Sequence, residues 1–139
     1  MTFIGKFHPL LVHFPIALVI AAAAAELVVI ATTRQAWRTV AVANIRAGAA
    51  LGVVTAITGW LLASSTLAEA GPSLEWHRWV GMAGAAGAIG AALLSSRLHV
   101  SSRRSAFVYR FTLFVAALLV AITGHLGGTL VWGAGFFRR

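Results

Sequence analysis

From Pro9 to Thr32 the chain reads PLLVHFPIALVIAAAAAELVVIAT, a run whose single charged side chain is Glu26. Crossing a bilayer core takes about 20 predominantly apolar residues in a helix. The run is long enough, and helix is the expected conformation, because an open strand would leave backbone polar groups unsatisfied in lipid. Similar runs follow from about Val40 to Ser64, from Trp76 to Ser96 and from Ala106 to Trp132. The expected fold is all-α: a transmembrane four-helix up-down bundle, spans about 9–32, 40–64, 76–96 and 106–132, forming a single integral membrane domain over residues 1–139.

Composition agrees. Hydrophobic residues make up 60% of the chain and charged residues 10%, with a mean hydropathy of +0.89. Soluble domains carry roughly 25% charged residues, so a water-soluble globule is excluded, and so is a disordered chain. The absence of cysteine rules out disulfides, thiolate metal sites and thiol nucleophiles. Eleven Lys and Arg against three Asp and Glu give a net charge of +8. In a soluble protein that would point to nucleic acid. Here the cations sit mostly in the connections, where they read as a topology signal, and no nucleic-acid partner is expected.

Lys6, Arg78, Arg138 and Arg139 fall at the end that holds the termini; Arg34, Arg38, Arg46, Arg97, Arg103, Arg104 and Arg110 fall at the other. The richer end is expected in the cytoplasm of a bacterial inner membrane, with both termini periplasmic. Trp60, Trp76, Trp79 and Trp132 mark one interface and Trp37 the other. Lys6 followed by an apolar run and Ala21–Ala25 has some look of a secretory leader, but the run is too long and Glu26 interrupts the cleavage region, so it is expected to remain a span. Glu26 itself needs a partner inside the membrane, and Arg46 on the next helix is the expected one.

The sequence Ala-Ile-Thr-Gly occurs at Ala56–Gly59 and again at Ala121–Gly124, and His13 and His77 have nearly the same offset, which reads as two tandem helical hairpins. Gly48, Gly52, Thr55 and Gly59, then Gly81, Gly84 and Ala88, then Gly124 and Gly128, form small-residue seams suited to close helix packing. Such seams also leave room for a flat cofactor beside a histidine.

Four of the five histidines, His8, His13, His77 and His125, fall near the end of the termini, on the first, third and fourth spans; His99 lies at the other end. Five residues rotate a helix by about 140° beyond a full turn, so His8 and His13 cannot share one ligand face of a straight helix; Pro15 adds a site for a kink. Imidazoles from several helices at one depth form a ligand set for haem iron, zinc or copper. With no carboxylate among them, hydrolytic zinc chemistry is disfavoured. The expected cofactor is haem b, with axial ligands drawn from His13, His77 and His125, His8 as a further candidate, and Arg78 and Lys6 as propionate partners. His13 and His77 are the preferred pair, because the first and third helices are diagonal in an up-down bundle.

The segment His8-Pro9-Leu10-Leu11-Val12-His13-Phe14-Pro15-Ile16-Ala17-Leu18, the central His77-Arg78-Trp79-Val80-Gly81 and the closing Thr123-Gly124-His125-Leu126-Gly127-Gly128-Thr129-Leu130-Val131 resemble an uncharacterised bacterial membrane-protein family with HPxxVHFPIAL, HRxxG and TGHxGGxLV signatures. The resemblance covers essentially the whole chain. It implies a four-span membrane domain, in some members beside cytochrome-like or dehydrogenase modules, and no settled activity. The expected function is therefore a haem b-binding electron-transfer subunit, without catalytic activity of its own, of a larger respiratory or photosynthetic complex, exchanging electrons with a quinone or a periplasmic cytochrome. The alternatives are a cofactor-free structural subunit and a small transporter or metal-handling protein using Glu26.

Overall fold

The computed structural model describes residues 2–65, 68, 71–98 and 102–133; within them all regular structure is helical. Two short helices, α1 (Thr2–Gly5) and α2 (His8–Leu11), lead into α3 (His13–Thr32). Three long helices follow: α4 (Gln35–Ala63), α5 (Pro72–Ser95) and α6 (Arg103–Trp132). His99 and the Arg138-Arg139 tail lie outside the described residues.

The breaks have local causes. Pro9 starts α2, and Pro15 stands in the first turn of α3, where a missing backbone N–H is tolerated. In a continuous helix that N–H would have bonded the carbonyl of Leu11, the last residue of α2, so the interruption at Val12 falls where the ladder is already cut. α3 stops at Thr33, which adopts φ 59° and donates its N–H to Val29 O at 2.8 Å. Thr33 and Arg34 alone join α3 to α4, a turn short enough to force the two helices antiparallel. Gly71 and Pro72 open α5, and Ser102 caps α6 by accepting from Ser105 N at 3.2 Å.

Each long helix packs on two others: α3 on α4 and α6, and α5 on α4 and α6. The enclosed residues are mostly small, Ala22, Ala41, Ala88, Ala91 and Ala116 among them, with Val19, Ile45, Tyr109 and Leu113 as the larger fillers. The glycines of α5 show why the helices come so close. Cβ atoms built on Gly81, Gly84 and Gly87 would each stand 3.2 Å from a side-chain atom of α6, on Thr123, Val120 and Ala116, so this ridge of α5 is kept bare. A Cβ on Gly5 would meet the backbone of Leu62 at 2.9 Å, which pins α1 against the end of α4.

The outer faces carry Leu27, Ile57, Leu93, Phe107, Phe111, Leu118 and Val131, all more than half exposed. An apolar surface that continuous is incompatible with water and suits lipid. Phe3–Thr32, Gln35–Ala63 and Arg103–Trp132 are long and apolar enough to cross a membrane. α5, expected as a fourth span of the same kind, does not reach that level: it is built largely from glycine and alanine and carries Glu75, His77 and Arg78 in its first turns.

At the end where α3 meets α4, Glu26 is fully buried. Arg110 Nε of α6 donates to its Oε1 at 2.9 Å, and Arg38 Nε of α4 makes an ion pair with Oε2 at 2.8 Å. One carboxylate thus ties α3 to both its neighbours. The expected partner, Arg46, bonds Ser95 Oγ of α5 at 3.1 Å instead. The two-residue turn decides this: Arg38 stands four residues into α4, level with Glu26, whereas Arg46 is about 12 Å further along the helix.

Removing the carboxylate leaves two guanidiniums facing each other in a low-dielectric setting. Glu26→Ala should lower stability by about 3 kcal/mol, read by reversible unfolding in mixed micelles, while Arg46→Gln should cost about 1 kcal/mol. Equal losses would show that Glu26 is not the clamp.

Candidate functional site

The histidines separate by helix face. The buried stripe of α3 runs Pro15, Val19, Ala22, Glu26 and Val29. Counted back by sevens, 29, 22, 15 and 8, it reaches His8, which is half-buried. His13 stands two residues from Pro15, about 200° round the helix, and is exposed. On α5 the buried residues Gly84 and Ala91 are in phase with His77, also half-buried. On α6 the buried stripe ends at Thr123, and His125, two residues on, is exposed. The structure therefore brings His8 and His77 together and leaves His13 and His125 on the surface. The expected separation of His8 from His13 holds, with His8 as the inward member.

The two rings meet in a T-shaped contact, with centroids 6.3 Å apart and planes at 82°. Each is held from behind in the same way. His8 Nδ1 lies 3.0 Å from Thr55 O on α4, and His77 Nδ1 lies 3.1 Å from Thr123 O on α6. A carbonyl only accepts, so Nδ1 donates in both rings; in the neutral tautomer that makes this bond the lone pair lies on Nε2. Metal-bound histidines are commonly oriented by this kind of hydrogen bond from the second nitrogen.

Glycine makes room for each ring. A Cβ on Gly59 would stand 2.7 Å from His8 Cε1, and one on Gly127 would stand 3.1 Å from His77 Cε1. These notches are filled by imidazole, so the space expected there for a flat cofactor is taken by the histidines themselves. Gly124 packs against Ile16, whereas Gly52 and Gly128 have nothing within 4 Å of a built Cβ.

The paired arrangement also resets the internal repeat. His8, Thr55 and Gly59 correspond to His77, Thr123 and Gly127, at offsets of 69, 68 and 68 residues. Thr55 and Thr123 both return their hydroxyls to a leucine carbonyl one turn earlier, Leu51 and Leu119. The Ala-Ile-Thr-Gly match had aligned Thr58 with Thr123, about one turn out of register.

Arg78, expected as a propionate partner, places its guanidinium 4.0 Å from the centroid of the Trp60 ring, a cation–π contact joining α5 to α4 beside the histidine pair. Lys6 is exposed in the turn between α1 and α2. Among the described residues no group of three or more His, Asp or Glu side chains is placed to hold a metal ion. The site is a two-imidazole site.

Residues 6–137 match the model of a family described as "Predicted membrane protein (DUF2231)", and the chain belongs to that family. Neither the curated proteins nor the solved structures provide a significant match.

Three glycines of the same chain grade the packing around the pair. Gly59→Ala must displace the His8 ring and should cost about 1–3 kcal/mol. Gly127→Ala should cost less, and Gly52→Ala, which meets no atom, should stabilise by up to about 1 kcal/mol through helix propensity. Thermal unfolding of the three variants in micelles checks that order, and a neutral Gly59→Ala would contradict the placement of His8.

Proposed function

We propose that the chain is an electron-transfer subunit of a larger membrane oxidoreductase, built as an up-down four-helix bundle of a bacterial inner membrane with both termini periplasmic, in which His8 and His77 hold one haem b near the periplasmic face. The single observation carrying this reading is the pair of imidazoles 6.3 Å apart, each with its Nδ1 proton committed to a helix carbonyl, which leaves Nε2 as the atom that would bind a metal. Two imidazoles are a donor type that would suit a haem iron. A planar macrocycle would also need lateral room beside the rings; the notches at Gly59 and Gly127 are filled by imidazole, and Gly128 has nothing within 4 Å of a built Cβ.

The haem supplies a one-electron iron couple. The chain's own residues supply the rest. Thr55 O and Thr123 O fix the tautomer and the direction of each ring and raise the basicity of its free nitrogen. The backbone ties are to α4 and α6, so both ligands are held by elements other than their own. Half-burial of the two rings limits the access of water. Lys6 and Arg78 place positive charge at this end of the bundle, where the haem propionates would emerge. Larger membrane partners, a quinone or a periplasmic cytochrome are the redox partners this reading calls for.

A second reading has a specific observation behind it. The imidazoles fill the notches of Gly59 and Gly127 and tie α2 to α4 and α5 to α6, which is what hydrogen-bonding keys of a cofactor-free structural subunit would do.

Visible spectroscopy separates the two. Protein purified from haem-replete cells should show a Soret band and a reduced-minus-oxidised α-band, abolished in His8→Ala and in His77→Ala and kept in His13→Ala and His125→Ala. A colourless protein whose thermal stability falls in His8→Ala would replace the electron-transfer reading by the structural one.

A further inference from the structure

The opposite end of the molecule, away from the histidine pair, carries a surface with a different chemistry. Phe107, Arg110, Phe111, Phe114, Val115 and Leu118 line an open groove of about 440 Å³ on the outer side of α6. Its floor is almost wholly apolar, Phe107 and Phe111 stack with centroids 6.3 Å apart, and Arg110 is its single charged residue. Seven residues rotate a helix by about 700°, twenty short of two full turns, so Arg103 stands on the same face as Arg110, about 10 Å nearer the helix start. Along this face of α6 the order is therefore Arg103, Phe107, Arg110, Phe111, Phe114 and Leu118, the last about 12 Å beyond Arg110.

Arg110 is already oriented. Its Nε donates to Glu26, and its other N–H donors have no partner among the described residues. The charge at this end is lopsided: Arg34, Arg38, Arg46, Arg97, Arg103, Arg104 and Arg110 face the single carboxylate Glu26. A ligand suited to this face must bring a negative headgroup and an apolar tail.

We infer that this face of α6 is a specific site for one anionic phospholipid, its phosphodiester bridging Arg103 and Arg110 over Phe107 and one acyl chain along Phe111, Phe114 and Leu118. Basic residues at the end of a transmembrane helix bind anionic headgroups with about 1 kcal/mol per cation, and the acyl chain adds apolar contact. The clamp on Glu26 gives Arg110 its fixed position, so the headgroup site is organised before lipid arrives.

The full chain in neutral detergent, titrated with phosphatidylglycerol, phosphatidylcholine or inorganic phosphate and read by native mass spectrometry and thermal unfolding, tests this. Phosphatidylglycerol should bind and raise the unfolding midpoint; phosphatidylcholine and phosphate should not. Arg103→Gln, which touches no ion pair, should weaken phosphatidylglycerol binding about fivefold. Arg104→Gln, about 100° round the helix, should leave it within about twofold. Leu118→Ser should weaken it without altering the response to phosphate. Equal binding of phosphatidylcholine, equal effects of Arg103→Gln and Arg104→Gln, or a midpoint shift reproduced by inorganic phosphate would each overturn the site, the last by reducing it to a free-anion site.

Discussion

Two hydrogen bonds from imidazole to helix carbonyl, His8 to Thr55 and His77 to Thr123, fix the direction of the two inward histidines. A backbone carbonyl inside a helix already accepts from the amide one turn on, so a further donor must reach it sideways, and at Thr55 the imidazole shares that carbonyl with the Thr58 hydroxyl, which donates at 3.0 Å. A glycine at that next turn gives the donor its approach. Gly59 and Gly127 stand in those places, four residues after Thr55 and Thr123. Each threonine thus brings a carbonyl and each glycine a notch, and an imidazole from a neighbouring helix enters the pair. The same arrangement occurs twice, so the two rings meet near the centre of one end with equivalent tautomers.

The rest of the structure holds that end in place from a distance. Lipid offers helices little reason to associate, so close packing of small residues must do it. Bare glycines on α5 bring α6 within van der Waals contact, and alanines fill most of the core. At the other end the buried Glu26 unites three helices through two arginines. Buried charge of this kind contributes less net stability than its Coulomb attraction implies, and its value lies more in fixing which helix faces meet. The molecule therefore has a polar register mark at one end and a pair of potential metal ligands at the other, joined by helices of small residues.

Much of this was legible in the sequence and some was not, for identifiable reasons. Helix positions followed from apolar runs because lipid leaves no other spanning conformation, although α5 proved less apolar than its neighbours. The grouping of histidines near one end followed from counting residues. For His77 the seam with Gly81 and Gly84 gave the inward direction, whereas on the first span the choice of helices favoured His13 over His8 without regard to helix phase. The phase was present nonetheless: His8, Pro15, Ala22 and Val29 form a strict sevenfold series, and so do His77, Gly84 and Ala91. The arginine that would meet Glu26 could not be chosen by distance along the chain without knowing that the turn is only two residues long. The internal repeat was visible as Ala-Ile-Thr-Gly but one turn out of register, because four identical residues weigh more in a string comparison than a threonine and a glycine set by hydrogen bonding.

The central claim is that the two inward histidines are neutral, protonated on Nδ1 and open on Nε2. Nitrogen-15 NMR of histidine-labelled protein in micelles reads this directly, with His8→Ala and His77→Ala for assignment. The account predicts two imidazoles with a protonated, hydrogen-bonded Nδ1 and an unprotonated Nε2, both shifting together when a metal or haemin is added while His13 and His125 remain unchanged. Proton on Nε2 in either ring, or fast tautomer exchange in both, would contradict it.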